Sequence, residues 1–108
     1  MSACMVYVTV GNREEAEAIA SDILHDHLAA SANIHGPVTS FYNWEGKFES
    51  REEYTIIFKT MHSLFPYLER EVSSMHSYKC PCVVAMPITD GNKQYLDWIA
   101  TETRVKSR

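Results

Sequence analysis

The residues best suited to chemistry gather in one short stretch, where His76 is followed by Cys80, Pro81 and Cys82. Alternate positions on an extended segment project to the same side, so both thiols can converge on one ion. Thiolates are soft ligands, His76 four residues upstream adds an imidazole, and Met75 beside it offers a thioether. Such a set suits copper(I), or zinc if a fourth ligand comes from another subunit. A single C-x-C is a weaker signature than two C-x-x-C pairs, and Cys80 and Cys82 can equally be small hydrophobes packed at the start of a strand. A disulfide between positions so close would be strained.

The remaining candidates point away from catalysis. No G-x-S-x-G or Walker sequence is present, and no Ser-His-Asp or Cys-His arrangement can be assigned from spacing, so the chain reads as a non-enzyme. His25 and His27 form H-x-H, but on a helix they stand about 200° apart and cannot chelate together. His35 and His62 are isolated near element ends, and Cys4 falls inside a strand as a core residue. Gly11-Asn12-Arg13 offers free backbone N–H groups to an anion, with one glycine and one arginine to support it.

Composition narrows the partners. A chain of 108 residues makes one domain, residues 1–108, with 103–108 as a solvated tail around Arg104, Lys106 and Arg108. Its 14 acidic against 10 basic side chains leave a net charge of −4, which argues against nucleic acid and anionic membrane surfaces. No apolar run approaches the ~20 residues that span a bilayer. Residues 1–10 carry no basic leader and no cleavage site. Three cysteines without a secretion signal favour a reducing compartment, and the expected location is the cytosol.

The elements that must position these residues alternate along the chain. Residues 4–10 form a continuous apolar strand of the kind buried on both faces. Asn12 caps a helix, with Glu15 at the capping-box spacing and an apolar stripe from Ala16 to Leu28. Residues 32–44 return as strand, interrupted at Gly36-Pro37 by a bulge or edge position. Glu45-Gly46 then turns the chain into a second aromatic and β-branched arm through Tyr54, Ile56, Ile57 and Phe58. Ser63 caps a second helix with a stripe of Leu64, Phe65, Leu68, Val72 and Met75. Residues 83–88 make a fourth strand, and Asp90-Gly91-Asn92 opens a short closing helix around Tyr95, Trp98 and Ile99, placed at a sheet edge or against a neighbour.

Strand, helix, strand, strand, helix, strand is the order of an α+β, ferredoxin-like βαββαβ sandwich, with both helices on one face of an antiparallel sheet. Hairpin arms of eight or more residues reach on the order of 25 Å, long enough to overhang the core. A bare sheet face and an overhanging ribbon with apolar residues on both sides call for another copy of the chain as cover.

These segments resemble the CutA divalent-cation tolerance family. The resemblance is carried by L-A-A-S-A-N-I (28–34), F-Y-N-W-E-G-K (41–47), F-K-T (58–60), H-S-Y-K-C-P (76–81), A-M-P-I (85–88) and Y-L-D-W-I (95–99), in the family's order and spacing from about Val6 to Glu102. It implies a trimer of ferredoxin-like subunits whose hairpins pair across neighbours, and a link to copper and other divalent metals. The chain departs from the family pattern at Ser31, where many members carry cysteine, at Val8, where some carry a metal-liganding cysteine, and at Ser77 and Lys79, where H-P-Y-E/D is usual.

Two functional expectations follow. One is a cytosolic copper- or divalent-cation-tolerance homotrimer, with a copper or zinc site at His76, Cys80 and Cys82. The other is a non-enzymatic scaffold or sensing trimer, resembling the PII type, with intersubunit clefts for a small molecule or protein. Phe41, Tyr42, Trp44, Lys59, Tyr78 and Trp98 are its interface and pocket residues, and Lys59 and Glu53 form an ion pair.

Overall fold

The computed structural model describes residues 2–104. The basic cluster expected as a tail lies, from residue 105 onward, outside the described residues. Among the described residues, four strands form one antiparallel sheet in the order β2-β3-β1-β4. They are β1 (Ala3–Val10), β2 (Ser31–Trp44), β3 (Lys47–Met61) and β4 (Val83–Pro87). Helices α1 (Arg13–His25) and α2 (Phe65–Met75) complete the ferredoxin-like order, and α3 (Lys93–Glu102) follows β4.

β1 alternates rather than being enclosed on both sides. Cys4, Val6, Val8 and Val10 are buried with Ile19, Ile23, Leu68 and Val72 of the two helices, and Ile56 and Phe58 of β3 join them. The intervening Met5, Tyr7 and Thr9 face the other side and are only half-buried. That second face is apolar as well: Val84 and Met86, paired with Tyr7 and Met5, are both exposed. α3 packs against β1 and β3, the two inner strands, instead of an edge, and buries Ile99 apart from the main core. The hydroxyl of Thr60, fully buried, donates to the Leu28 carbonyl at 2.6 Å and ties β3 to the segment after α1.

The hairpin is as the sequence predicts. β2 pairs with β3 from Ser31↔Lys59 out to Trp44↔Lys47, with a register break between His35 and Val38 at Gly36-Pro37, whose peptide bond is cis. Gly36 is required by crowding, because a Cβ there would lie 2.5 Å from Cδ2 of Tyr54. At the tip, Glu45 and Gly46 both take positive φ (51° and 80°), the requirement of a two-residue turn that matches strand twist. The ribbon stretches the molecule to 44 Å in a body otherwise 28 by 22 Å.

Helix ends repay closer reading. Asn12 caps α1, its Oδ1 accepting the Glu15 amide at 2.8 Å. The reciprocal half of the capping box does not form, because the Glu15 carboxylate is engaged elsewhere, with Ser77. Ser63 is not a cap: it falls inside a short 3₁₀ turn (His62–Leu64), and α2 begins at Phe65 without a side-chain cap, with Pro66 in its first turn. Met75 leaves the expected buried stripe at the last residue of α2 and is exposed. α1 stops at His25, and His27 lies beyond it with φ 57°, so the two histidines do not share a helix.

Candidate functional site

The segment from His76 to Cys82 leaves the end of α2 and crosses the top of the sheet before β4 begins. Three consecutive side chains pin it there. The fully buried His76 ring sets Nε2 2.7 Å from the Thr9 carbonyl, so Nε2 carries the proton and donates. Its Nδ1 then accepts the Tyr78 amide at 3.0 Å and lies 3.6 Å from Glu15 Oε2. Ser77 gives its amide and its hydroxyl to the two oxygens of Glu15, at 2.8 and 2.9 Å. The Tyr78 hydroxyl donates to the buried carboxylate of Glu53 at 2.8 Å, and the Arg51 guanidinium stands 4.7 Å above its ring. Burial and then Glu53 raise the Tyr78 phenol above its usual range, and Arg51 opposes them.

Beside this anchored segment the sheet carries an open cleft of about 550 Å³. Tyr42 and Trp44 of β2 and Glu49, Arg51 and Glu53 of β3 line one side; Tyr78, Lys79, Cys80 and Cys82 line the other, with Thr9 among the lining residues. Period-2 alternation explains the first group, since positions 42 and 44 pair with 49 and 47 and share one face of the ribbon. The same reasoning applied to Glu49, Arg51 and Glu53, three charged residues at every second position, could have found the polar wall from sequence.

The structure therefore sorts the predicted site residues. Cys80 is exposed and Cys82 half-buried, and both are free thiols on the cleft. Burial pushes the Cys82 thiol up, Glu53 adds to the effect, and a hydrogen bond with Thr9 works against both. His76 does not join them. Its two ring nitrogens are already occupied, and it is absent from the cleft wall. Cys4 is buried in the core as expected, and burial raises its thiol too. Tyr42, Trp44 and Tyr78 reach the cleft, whereas Phe41, Lys59 and Trp98 do not line it. Phe41 stacks on Phe48 at 5.6 Å, and Trp98 packs with Tyr95 at 5.4 Å. Lys59 donates to Asn33 Oδ1 at 2.7 Å rather than pairing with Glu53, which serves Tyr78. Six residues along one strand separate Lys59 from Glu53, too far for contact.

One cluster escaped the sequence reading. Asp22 on α1 and Asp26, the residue that caps its C-terminus, meet Glu71 on α2, and among the described residues these are the only three or more His, Cys, Asp or Glu ligand atoms lying within 4.8 Å of one another. Ionised carboxylates only accept, so Glu71 Oε2 is enclosed with no donor. Burial first, then hydrogen bonding to Asp22 and Asp26, pushes the Glu71 carboxyl up to about 8, and a proton held there supplies the missing donor. The i,i+4 spacing of two aspartates at the end of the first helix was the available signal; their meeting with Glu71 depends on how α1 packs on α2.

Comparisons with known proteins agree with this geometry. A profile of the CutA1 divalent ion tolerance protein family matches residues 4–102. The chain is 47% identical over 94 residues to the divalent-cation tolerance protein CutA of Archaeoglobus fulgidus, a match covering 87% of this chain and 91% of that protein. It is 44% identical over 100 residues to the chloroplastic protein CutA of Arabidopsis thaliana, covering 93% of this chain and 55% of the plant protein, so it spans about half the length of that relative. The solved structure described as the periplasmic divalent cation tolerance protein CutA from Archaeoglobus fulgidus aligns with a TM-score of 0.92 at 43% identity, over 94% of this chain and 99% of that chain.

Proposed function

The chain belongs to the CutA1 divalent ion tolerance family, and from that membership we propose that it is a non-enzymatic homotrimer that holds copper, as cargo, on Cys80 and Cys82. The observation that carries this reading is the placement of two free thiols on the wall of one open cleft, on a segment fixed by its three preceding side chains. Soft sulfur donors fit copper better than they fit hard cations such as magnesium or calcium. His76, expected as a ligand, is assigned here to holding the segment in place.

Assembly is argued from exposed apolar surface. Phe41 and Phe48 are 67% and 71% exposed at the end of the ribbon, and Trp44, Val84, Met86 and Trp98 add to the uncovered area. A soluble chain seldom leaves so much aromatic surface in water without a partner. Three copies exchanging ribbons would cover it, with Phe41, Tyr42, Trp44, Lys59, Tyr78 and Trp98 at or near the contacts. Free thiols suit a reducing compartment such as the cytosol. The two relatives named for chloroplast and periplasm are assigned elsewhere by their own names.

Native mass spectrometry of the reduced protein, with and without one equivalent of copper(I) per chain, tests both parts. A trimer retaining copper, which Cys80→Ser with Cys82→Ser releases, supports the proposal; undiminished binding by the double variant removes the site. A second reading rests on the same cleft, whose aromatic walls and Arg51 suit a small anionic aromatic ligand. A metal-free trimer stabilised by such metabolites in a thermal-shift screen would favour it.

A further inference from the structure

We infer that the cleft is a binding site for an aromatic α-amino acid, its ammonium group seated on Glu53 and its carboxylate on Arg51 and Lys79. The inference deepens the second reading, resting on its use of the cleft for a small molecule, and owes nothing to the thiol pair.

Glu53 sets the requirement. It is 7% exposed, and what remains uncovered opens on the cleft it lines. Its Oε2 accepts the Tyr78 hydroxyl at 2.8 Å, and among the described residues no other hydrogen bond or ion pair reaches the carboxylate. The neighbouring cation, Arg51, is turned to the Tyr78 ring instead. Burial and then Glu53 hold the Tyr78 phenol above its usual range, so it meets the carboxylate with a proton but no charge. Buried carboxylates are ordinarily matched by a cation. Here one oxygen is left for a donor that comes from outside, and an ammonium group brings both N–H donors and the missing charge.

The rest of the wall selects which ammonium. Tyr42, Trp44 and Tyr78 offer ring faces, which attract both an organic cation and an aromatic body. Arg51 stands at the alternate position of β3 from Glu53, about 6.6 Å along the strand on the same face. Arg51 and Lys79 are both exposed, and their long side chains can close on a carboxylate. With Glu49 and Glu53 set against Arg51 and Lys79, the charged lining is neutral in sum but holds both signs. A simple anion would meet Glu53, and a simple amine would meet Arg51 and Lys79; a zwitterion satisfies both. At about 550 Å³ the cleft has the usual size of a small-molecule site.

Isothermal titration calorimetry on the reduced, metal-free protein tests this with L-phenylalanine, with 3-phenylpropionate, which lacks the ammonium group, and with 2-phenylethylamine, which lacks the carboxylate. Phenylalanine should bind at least about 10-fold more tightly than either relative, the size of one charged hydrogen bond. Glu53→Gln, whose side-chain oxygen still accepts from Tyr78, should lower phenylalanine affinity by about 10-fold or more and leave 3-phenylpropionate no weaker. Phenylalanine binding should survive Cys80→Ser combined with Cys82→Ser. If 3-phenylpropionate binds as tightly as phenylalanine, or Glu53→Gln changes nothing, the ammonium site is overturned while the anionic-ligand reading stands. Equal binding of 2-phenylethylamine and phenylalanine overturns the carboxylate contact, and the amino-acid assignment with it. No binding of any of the three defeats both the inference and the reading beneath it.

Discussion

Glu15 and Ser77, 62 residues apart, are joined by two hydrogen bonds, the amide of Ser77 reaching Oε2 at 2.8 Å and its hydroxyl reaching Oε1 at 2.9 Å. The first turn of α1 thus holds the segment that leads to Cys80 and Cys82. Glu15→Ala should cost on the order of 1 kcal/mol, since it removes a charged acceptor from two hydrogen bonds at the surface, where water can replace it. Denaturant unfolding checks the cost, and copper(I) affinity should fall alongside it by about 10-fold. An unchanged affinity would detach the α1 contact from metal binding.

Ser31 carries a buried hydroxyl with no hydrogen-bond partner. A thiol in that place would lose little, because its weak donor can go unmet. Ser31→Cys or Ser31→Ala should therefore stabilise the chain by about 1 kcal/mol. In a domain of about 100 residues that raises Tm by roughly 4 °C. A fall in Tm with both variants would mean that Ser31 has a partner in the assembled protein.

The Asp22, Asp26 and Glu71 cluster makes stability pH-dependent. The Glu71 carboxyl is raised in the folded chain from 4.5 to about 8, so between these values the folded state holds a proton that the unfolded state has lost. Its contribution is complete below about 4.5 and is lost as pH rises through about 8. Glu71→Gln, which keeps a donor at every pH, should raise Tm at pH 8.5 by a few degrees and leave it nearly unchanged at pH 5. The group is partly exposed, so solvent screening keeps the gain to about 1 kcal/mol. Equal shifts at the two pH values would contradict the assigned proton.

Assembly should depend on the ribbon tip. Phe48→Asp and Trp44→Ser place a charge or a small polar group on surface that is now exposed and aromatic. If three copies bury that surface, either change should shift native mass spectra towards monomer while leaving the circular dichroism spectrum of each chain unaltered. A trimer that persists in both variants would move the contact to Val84 and Met86 on the sheet face.

Local chemistry was legible from sequence wherever one element could specify itself. The hairpin, the Asn12 cap and the break at Gly36 follow from residues adjacent in the chain. Ser63 misled because a cap motif cannot announce a 3₁₀ turn placed before the helix, and Met75 because a stripe does not say where the supporting core ends. The partners of His76, Glu15 and Glu71 all lie on other elements, and only the packed fold brings them together.

The strand order also dictates how the chain comes together. β2 and β3 are neighbours in sequence and zip through a two-residue turn, whereas β1 waits for β3 across a helix and for β4 across most of the chain. Loop-closure entropy makes the ribbon the earliest piece and β4 the last. A chain emerging from the ribosome thus displays a long aromatic ribbon before its sheet is whole. The interruption of the outer strand at Gly36 and Pro37, which spoils the regular row of donors and acceptors along that edge, guards such ribbons against templating one another into aggregates.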